Sequence, residues 1–513
     1  MSKNYYITTP IYYPSAKPHM GHAYTSIIAD FFARFKRLDG FDVHFLTGTD
    51  EHGLKIQRAA EKKGLEPLKF CDDISQTFRN LSETLNLSNT DFIRTTEERH
   101  KKTVQHLWSE LQKNDDIYLS KYSGWYSVSD EAFYSNEEIS EKNGHKISTS
   151  SGSTVEWIEE ESYFFRLSKW QDRLLEYYEK NPEFISPKSK KNEVISFVKG
   201  GLKDLSISRK AFSWGIQVPE NPDHVIYVWL DALTNYISAL NYPDTNDKLF
   251  KNFWPASVHL IGKDILRFHA VYWPSFLMAA KIPLPKKIYG HGWILSGEEK
   301  MSKSKGNILD PLDIIETYGL DPLRYYLIKE VSFGSDGNIS QDRLEDCINS
   351  DLANNYGNLC QRVTAFTEKN CSSKVPMPIN FKDEDLAILN RFTENLTSLR
   401  NEIDQQNINF YINFIVSSLF EANKYFNDQE PWKKKNDKER LNTIVYTSLE
   451  VIRKISIMLY PIIPNSIKNA LTIFNIKTED ITFESIGLHD YLKPGNTINK
   501  IGILFKKIEK KND

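Results

Sequence analysis

The feature that most constrains this chain is a rhythm that appears twice, breaks in between, and then changes period. Residues 3–9 read as a short β-rich strand, residues 20–38 as an amphipathic helix and residues 42–47 as a second strand, which together make a βαβ unit. Ala23, Ile27, Phe31, Phe35 and Leu38 fall on one helical stripe, and Gly40 is placed to cap its end. A second alternation opens at Val225: strand over 225–229, helix over 230–240, strand over 257–261, helix over 265–280. Between the halves, residues 116–223 lack this rhythm and are rich in Ser, Glu, Lys and aromatic residues, which predicts an inserted domain rather than another layer of the same sheet.

Beyond about Gly337 the period is helical nearly to the end. One stripe runs Leu386, Leu389, Phe392, Leu396, Leu399, Ile403 and another Tyr411, Ile415, Leu419, Ala422, Phe426. A further helix carries Leu441, Val445, Leu449, Ile452 and Leu459 and is stopped at Pro461 and Pro464, because proline lacks the donor and clashes with the preceding turn. The expected architecture is therefore α/β with a parallel sheet, interrupted by an inserted α+β connective domain and followed by an all-α helix bundle. The expected domains are 1–115, 116–223, 224–337 and 338–513.

Composition bounds what such a chain does. At 513 residues it is too long for one core, and 40% hydrophobic with 26% charged residues is ordinary for a globular protein. A net charge of −3 excludes a globally basic polyanion binder, so any nucleic-acid contact is local. The N-terminus has no apolar core of a signal peptide, and no apolar run approaches the roughly 20 residues that span a bilayer, so a cytoplasmic location without membrane contact is expected. Cys71, Cys347, Cys360 and Cys371 share no CxxC spacing and fall in helical patterns, which suits reduced, buried thiols.

Two motifs carry chemistry. The first is Tyr12-Tyr13-Pro14 followed by His19-Met20-Gly21-His22, where the first strand hands over to the first helix. A helix N-terminus offers unpaired N–H groups, Gly21 lets a phosphate approach the backbone, and two imidazoles can donate to phosphate oxygens. Either histidine alone would be an ordinary surface or core side chain; the pair, with glycine between and a strand before, points to phosphate chemistry. The second is Gly297-Glu298-Glu299-Lys300-Met301-Ser302-Lys303-Ser304-Lys305-Gly306-Asn307, a cationic, hydroxyl-rich segment after a strand expected at 285–289. In isolation it is equally a solvated charge run; at the end of a sheet strand it suits a mobile loop closing on a polyphosphate.

Together the two motifs resemble the signature pair of class I aminoacyl-tRNA synthetases, which have a Rossmann-like catalytic domain. Gly48-Thr49-Asp50-Glu51-His52-Gly53, Tyr227-Val228-Trp229-Leu230-Asp231-Ala232-Leu233-Thr234-Asn235-Tyr236 and Gly262-Lys263-Asp264-Ile265-Leu266-Arg267-Phe268-His269 look like the methionyl members, and the likeness covers nearly the whole chain. The resemblance implies methionine activation by ATP with Mg²⁺ and transfer to tRNA(Met). It assigns His19, His22, Lys300 and Lys303 to catalysis, and His19, Gly21, His22, Lys300, Met301, Ser302, Lys303 and Ser304 to ATP. It assigns Asp50 to the substrate ammonium, and Ile11, Tyr13, Trp229, Ala232, Leu233, Tyr236, Ile265, His269 and Trp273 to the side-chain pocket. Sulfur–aromatic contacts of about 0.3–1.5 kcal/mol each suit a thioether, yet the spacing of Trp229, Tyr236 and Trp273 fits a plain buried helix face equally well. In the helical part, Asn358, Arg362 and Trp432 match the positions that read the anticodon, Trp432 by stacking and the polar pair at base edges. Lys433, Lys434 and Lys435 suit the phosphate backbone or simple solvation.

One departure stands out. Where many members carry CxxC zinc knuckles, this chain has Ser127 and Asp130, and hydroxyls over 148–152. Serine is not ionised at neutral pH and is a poor zinc ligand, so no metal site is expected. The insertion would rely instead on Trp125, Tyr126, Phe133, Tyr134, Trp157, Tyr163, Phe164 and Phe165. The missing cysteines argue against a cysteine-specific relative, the helical third against a bare nucleotidylyltransferase, and the intact His19, His22, Lys300 and Lys303 against a noncatalytic tRNA-binding paralogue. The insertion is too short for the editing domain of the branched-chain relatives, and a monomer is expected.

Overall fold

The computed structural model describes residues 3–14, 17–130, 132–142, 144–296, 299–300, 310–487 and 491–509. These fall into two compact units: the described residues of 4–18 and 43–291 form one, and those of 1–3, 19–42 and 292–513 the other.

The first unit is built on a six-stranded sheet. Its strands are β1 (Asn4–Tyr12), β2 (Asp42–Thr49), β3 (Asp91–Arg94), β6 (Ile185–Ser186), β7 (Val258–Gly262) and β8 (Ile288–His291), in the order β3-β2-β1-β7-β8-β6. The pairings Ile7↔Val258, Leu46↔Asp91, His259↔Ile288 and Ile288↔Ile185 are all parallel. Strand β1 is buried from Tyr5 to Thr9 and β2 from Val43 to Thr49, as strands covered on both faces must be. Strand order reverses between β1 and β7, and the carboxyl ends of strands at such a switch point are where α/β sheets bind ligands. Gly48 is demanded by packing, because a Cβ there would lie 2.0 Å from the Ile93 carbonyl oxygen of β3.

The insertion is antiparallel. Strands β4 (Ile117–Ser127) and β5 (Glu156–Phe165) pair from Ile117↔Phe165 to Tyr126↔Glu156, with short strands on each edge. The expected rhythm returns earlier than the sequence suggested, since β6, a two-residue strand within the irregular stretch, joins the parallel sheet. Three other readings are corrected. The strand expected over 225–229 runs Asn221–Ile226, and the chain turns at Tyr227 into helix α3 (Val228–Leu233) and then α4 (Asn235–Ser238). The helix expected over 265–280 is a 3₁₀ turn at Lys263–Ile265, a π-turn at Phe268–Tyr272 and the regular α5 (Trp273–Ala279). The aromatic core of the insertion is partial: Tyr126, Phe164 and Phe165 are buried, whereas Trp157 is 49% exposed.

The second unit joins α1 (Met20–Leu38) to the helical third. At its end Gly40 has φ +79°, the Gly40 N–H donates to the Arg37 carbonyl and that of Phe41 to Lys36, the paired bonds of a glycine-terminated helix. Phe31 and Phe35 meet Tyr411 edge-on, Asp30 accepts from Arg34 and Arg324, and Lys36 and Asp39 pair with Asp404 and Arg400. The bundle contains α6 (Asn358–Cys371), α7 (Asp383–Asp404), α8 (Ile408–Asp428) and α9 (Lys438–Leu459). Its expected stripes are buried except Leu386, which is 39% exposed while its neighbour Ile388 turns inward. The four cysteines are free thiols, and no described helix is long and apolar enough to cross a membrane.

Candidate active site

In the helical unit, His19 is the N-cap of α1 and the motif caps its own helix. The Gly21 N–H donates to His19 Nδ1 at 3.1 Å, the His19 N–H donates to His22 Nδ1 at 3.2 Å, and the rings stack at 3.8 Å. Because both Nδ1 atoms accept, any single ring proton sits on Nε2, so each imidazole offers its N–H there. Burial, then the neighbouring His19, pushes His22 well below the usual imidazole range, so it donates without carrying charge. Of the second motif, Glu299–Lys300 is a short strand paired with Ile294–Ser296; Met301, Ser302, Lys303 and Ser304 lie outside the described residues.

In the sheet unit, Ile11 and Tyr13 stand at the carboxyl end of β1, Asp50 just after β2, Trp229 to Tyr236 on α3 and α4, and Ile265, His269 and Trp273 in the turns and helix after β7. Tyr236, buried on α4, has its hydroxyl 2.7 Å from His269 Nε2, while His269 Nδ1 lies 3.0 Å from the Ile265 carbonyl. A carbonyl only accepts, so Nδ1 carries the proton and Nε2 takes the tyrosine O–H. Burial lowers His269 to about 4, which keeps it neutral. Trp273 is fully buried beside Tyr236, and Ala232 and Leu233 are buried on α3. Trp229 stacks face to face on Phe268 at 3.7 Å. Ile11, Tyr13, Trp229 and Ile265 are half-buried against the same core. Asp50 is 7% exposed and its N–H donates to the Tyr12 carbonyl.

Several side chains escaped the sequence reading. Phe268 completes the Trp229 stack, and His259 stacks beneath Tyr236 at 4.0 Å. Asp231, on α3, is fully buried and accepts from His52 Nδ1 and from His100 Nε2, each at 2.7 Å. The available signal was an acidic residue between Leu230 and Ala232 in an otherwise apolar run. Burial alone would raise its pKa, but His52 and His100 outweigh that and hold it below the ordinary carboxylate value.

In the bundle, Asn358 is exposed at the start of α6 and Arg362 follows one turn later. Arg362 donates to Asn427 at 2.6 Å and lies over Phe426, whose ring meets the 40%-exposed Trp432 edge-on. At the tip of the insertion Ser127, Asp130, Ser148 and Ser151 cluster. Ser127 and Ser148 are fully buried, Ser127 accepts from the Asp130 N–H, Ser148 accepts from the Ser150 and Ser151 N–H groups, and Ser151 donates to Asp130. Among the described residues no group of three or more His, Cys, Asp or Glu is placed to hold a metal ion.

Comparison with known proteins accounts for nearly the whole chain. The family model "tRNA synthetases class I (M)" matches residues 5–364, and "Anticodon binding domain of methionyl tRNA ligase" matches residues 375–513. The chain is 51% identical to a methionine–tRNA ligase of Rickettsia felis over 99% of both chains, and 50% identical to that of Brucella suis over 94% of both. Among solved structures, Mycobacterium tuberculosis methionyl-tRNA synthetase in complex with methionyl-adenylate superposes with a TM-score of 0.95 at 46% identity, over 98% of this chain and 99% of that one. A parallel sheet with its switch point, a self-capped histidine motif at a helix start and a helical C-terminal third agree with those matches, and the chain belongs to the methionine–tRNA ligase family of class I tRNA synthetases.

Proposed function

We propose that this ligase divides its work among the residues as follows. His19, Gly21 and His22 receive the ATP phosphates, and Lys300, Met301, Ser302, Lys303 and Ser304 complete the set of residues that bind them. A methionine carboxylate oxygen bonds to the α-phosphorus while the bond to the bridging oxygen breaks; pyrophosphate leaves, and Lys303 offsets the charge that develops. The tRNA terminal ribose hydroxyl then attacks the acyl carbon and AMP departs. Mg²⁺ arrives with the ATP phosphates, as it usually does in phosphate sites. Charge stabilisation and positioning, rather than a protein nucleophile, carry such a displacement.

The observation that supports methionine most directly is the neutral Tyr236–His269 pair. Its polar atoms are committed to each other and to the Ile265 carbonyl, so with Ile11, Tyr13, Trp229, Ala232, Leu233 and Trp273 it presents an apolar aromatic surface to a thioether, while Asp50 takes the ammonium group. Asn358, Arg362 and Trp432 read the anticodon of tRNA(Met), with Phe426 bracing both Arg362 and Trp432. The boundaries 1–115, 116–223, 224–337 and 338–513, a monomer and a cytoplasmic location complete the reading.

Amino-acid-dependent ATP–pyrophosphate exchange tests it: methionine should exceed every other amino acid, and exchange no greater with methionine would overturn it. Lys303→Ala should lower the exchange rate by about 10²–10³, the range for removing one transition-state donor, with methionine affinity unchanged; an unchanged rate removes Lys303 from the chemistry. The hydroxyls at Ser127, Ser148 and Ser151 are committed to hydrogen bonds, so the pure protein should hold no stoichiometric zinc, and one tightly bound zinc per chain by elemental analysis would refute this.

A further inference from the structure

His52 stands two residues from Asp50 and, beside an edge-on ring contact with Trp214, makes two hydrogen bonds of different kinds. Its imidazole donates from Nδ1 to Asp231 of α3, and its carbonyl accepts from the Tyr13 hydroxyl at 2.9 Å. The residue between, Glu51, is held separately: its carboxylate accepts from Arg94, Thr49 and Thr96, and its carbonyl accepts from Trp214 Nε1 at 2.6 Å. Asp231 is itself anchored on its other oxygen by His100 of helix α2 (Glu98–Lys113), whose Nδ1 lies 2.8 Å from the Ser238 hydroxyl. A carboxylate only accepts, so both imidazoles donate to it, and their orientations are fixed by one fully buried group. The Tyr13 bond goes to a backbone carbonyl and His100 holds Asp231 on its other side, so the His52 imidazole ties the Asp50 segment to a point on α3 that is fixed without it.

We propose that His52, held by Asp231, is the positioning residue that aims Asp50 at the substrate's ammonium group. The inference rests on Asp50 as the ammonium site and adds what sets its direction. A displaced carboxylate at a charge-recognition site weakens binding only of ligands that carry the charge, because the apolar pocket is untouched.

Inhibition of pyrophosphate exchange separates the two. L-methioninol carries the ammonium and the thioether; 4-(methylthio)butan-1-ol carries the thioether alone. His52→Ala should weaken methioninol at least tenfold and the deaminated alcohol less than twofold, with the KM for ATP unchanged. His52→Asn, whose side-chain N–H can replace Nδ1–H, should recover most of the loss. Equal weakening of both alcohols, or of neither, would overturn the inference. Asp50→Asn in parallel tells the two claims apart: if it leaves the methioninol preference intact, the ammonium site is elsewhere, whereas if it abolishes the preference and His52→Ala does not, only the positioning role fails. Should His52→Ala not fold, Asp231→Asn is read by the same ratio, and an unchanged ratio counts against the proposal.

Discussion

Two carboxylates in the sheet-containing unit are each surrounded by converging donors, and they serve opposite ends. Asp231 is fully buried, and imidazole N–H donors reach it from two histidines on different elements. Asp130 sits at the half-exposed tip of the insertion, where Ser151, Ser153 and Tyr134 donate to it at 2.5, 2.8 and 2.7 Å. Burial raises the pKa of both, and in both the surrounding donors outweigh it and hold the carboxyl below its ordinary value. The difference lies in what replaces the hydration shell. Around Asp130 the donors are hydroxyls, any one of which can turn to cover for another; around Asp231 the donors are two fixed, buried imidazoles, and nothing stands beside them to replace one that leaves.

The largest effect should therefore come from Asp231→Ala. It leaves two buried imidazole N–H groups without their shared acceptor, and each buried donor left unsatisfied costs about 1–3 kcal/mol, read as the loss of unfolding free energy in urea. A loss below about 1 kcal/mol, the scale of one net hydrogen bond, would erase the contrast between the two sites. Acid sharpens it further. A carboxyl whose folded pKa is depressed contributes stability that is present above the unfolded value of about 3.9 and is lost as pH falls through the folded value. Wild-type stability measured from pH 6 to pH 3 should thus have an acid limb that Asp231→Asn flattens, and a limb unchanged by that substitution would mean other carboxyls carry it.

The contrast also marks what a sequence displays. Helix α1 was legible to the residue at both ends, because an apolar stripe and a glycine cap are local signals. The tip is a different case: Ser127, Asp130, Ser148 and Ser151 were singled out only through the family resemblance, and no pattern of their own marks them as a cluster. Asp231 and His52 are 179 residues apart, and no periodicity links them. The strand–helix boundary at Tyr227 failed for a different reason: Val225, Ile226 and Val228 suit a strand equally, and only the packing of α3 decides where the strand stops. The π-turn at Phe268–Tyr272 and the two-residue β6 leave no pattern at all, one being a slip of backbone hydrogen bonds and the other too short to show a period. So the spacing of His269 and Trp273 was readable as a stripe, while the Tyr236–His269 bond that distinguishes a pocket from a core was not.

At the tip the expected effect is small and local. Asp130→Asn keeps one oxygen that accepts from a hydroxyl, and the amide can turn its N–H groups toward Ser151 or solvent, so roughly 1 kcal/mol should be lost, the net worth of a typical hydrogen bond. Hydrogen exchange resolves where that loss falls. The backbone N–H groups of Asp130, Ser150 and Ser151, which donate to Ser127 and Ser148, should exchange faster while those of β7 and β8 do not change. Because the tip is stapled by neutral hydroxyls rather than by a shared buried charge, its opening is independent of the sheet. If Asp130→Asn instead sped exchange across β7 and β8 as much as Asp231→Ala does, the two carboxylates would be parts of one cooperative network and the distinction drawn between them would fail.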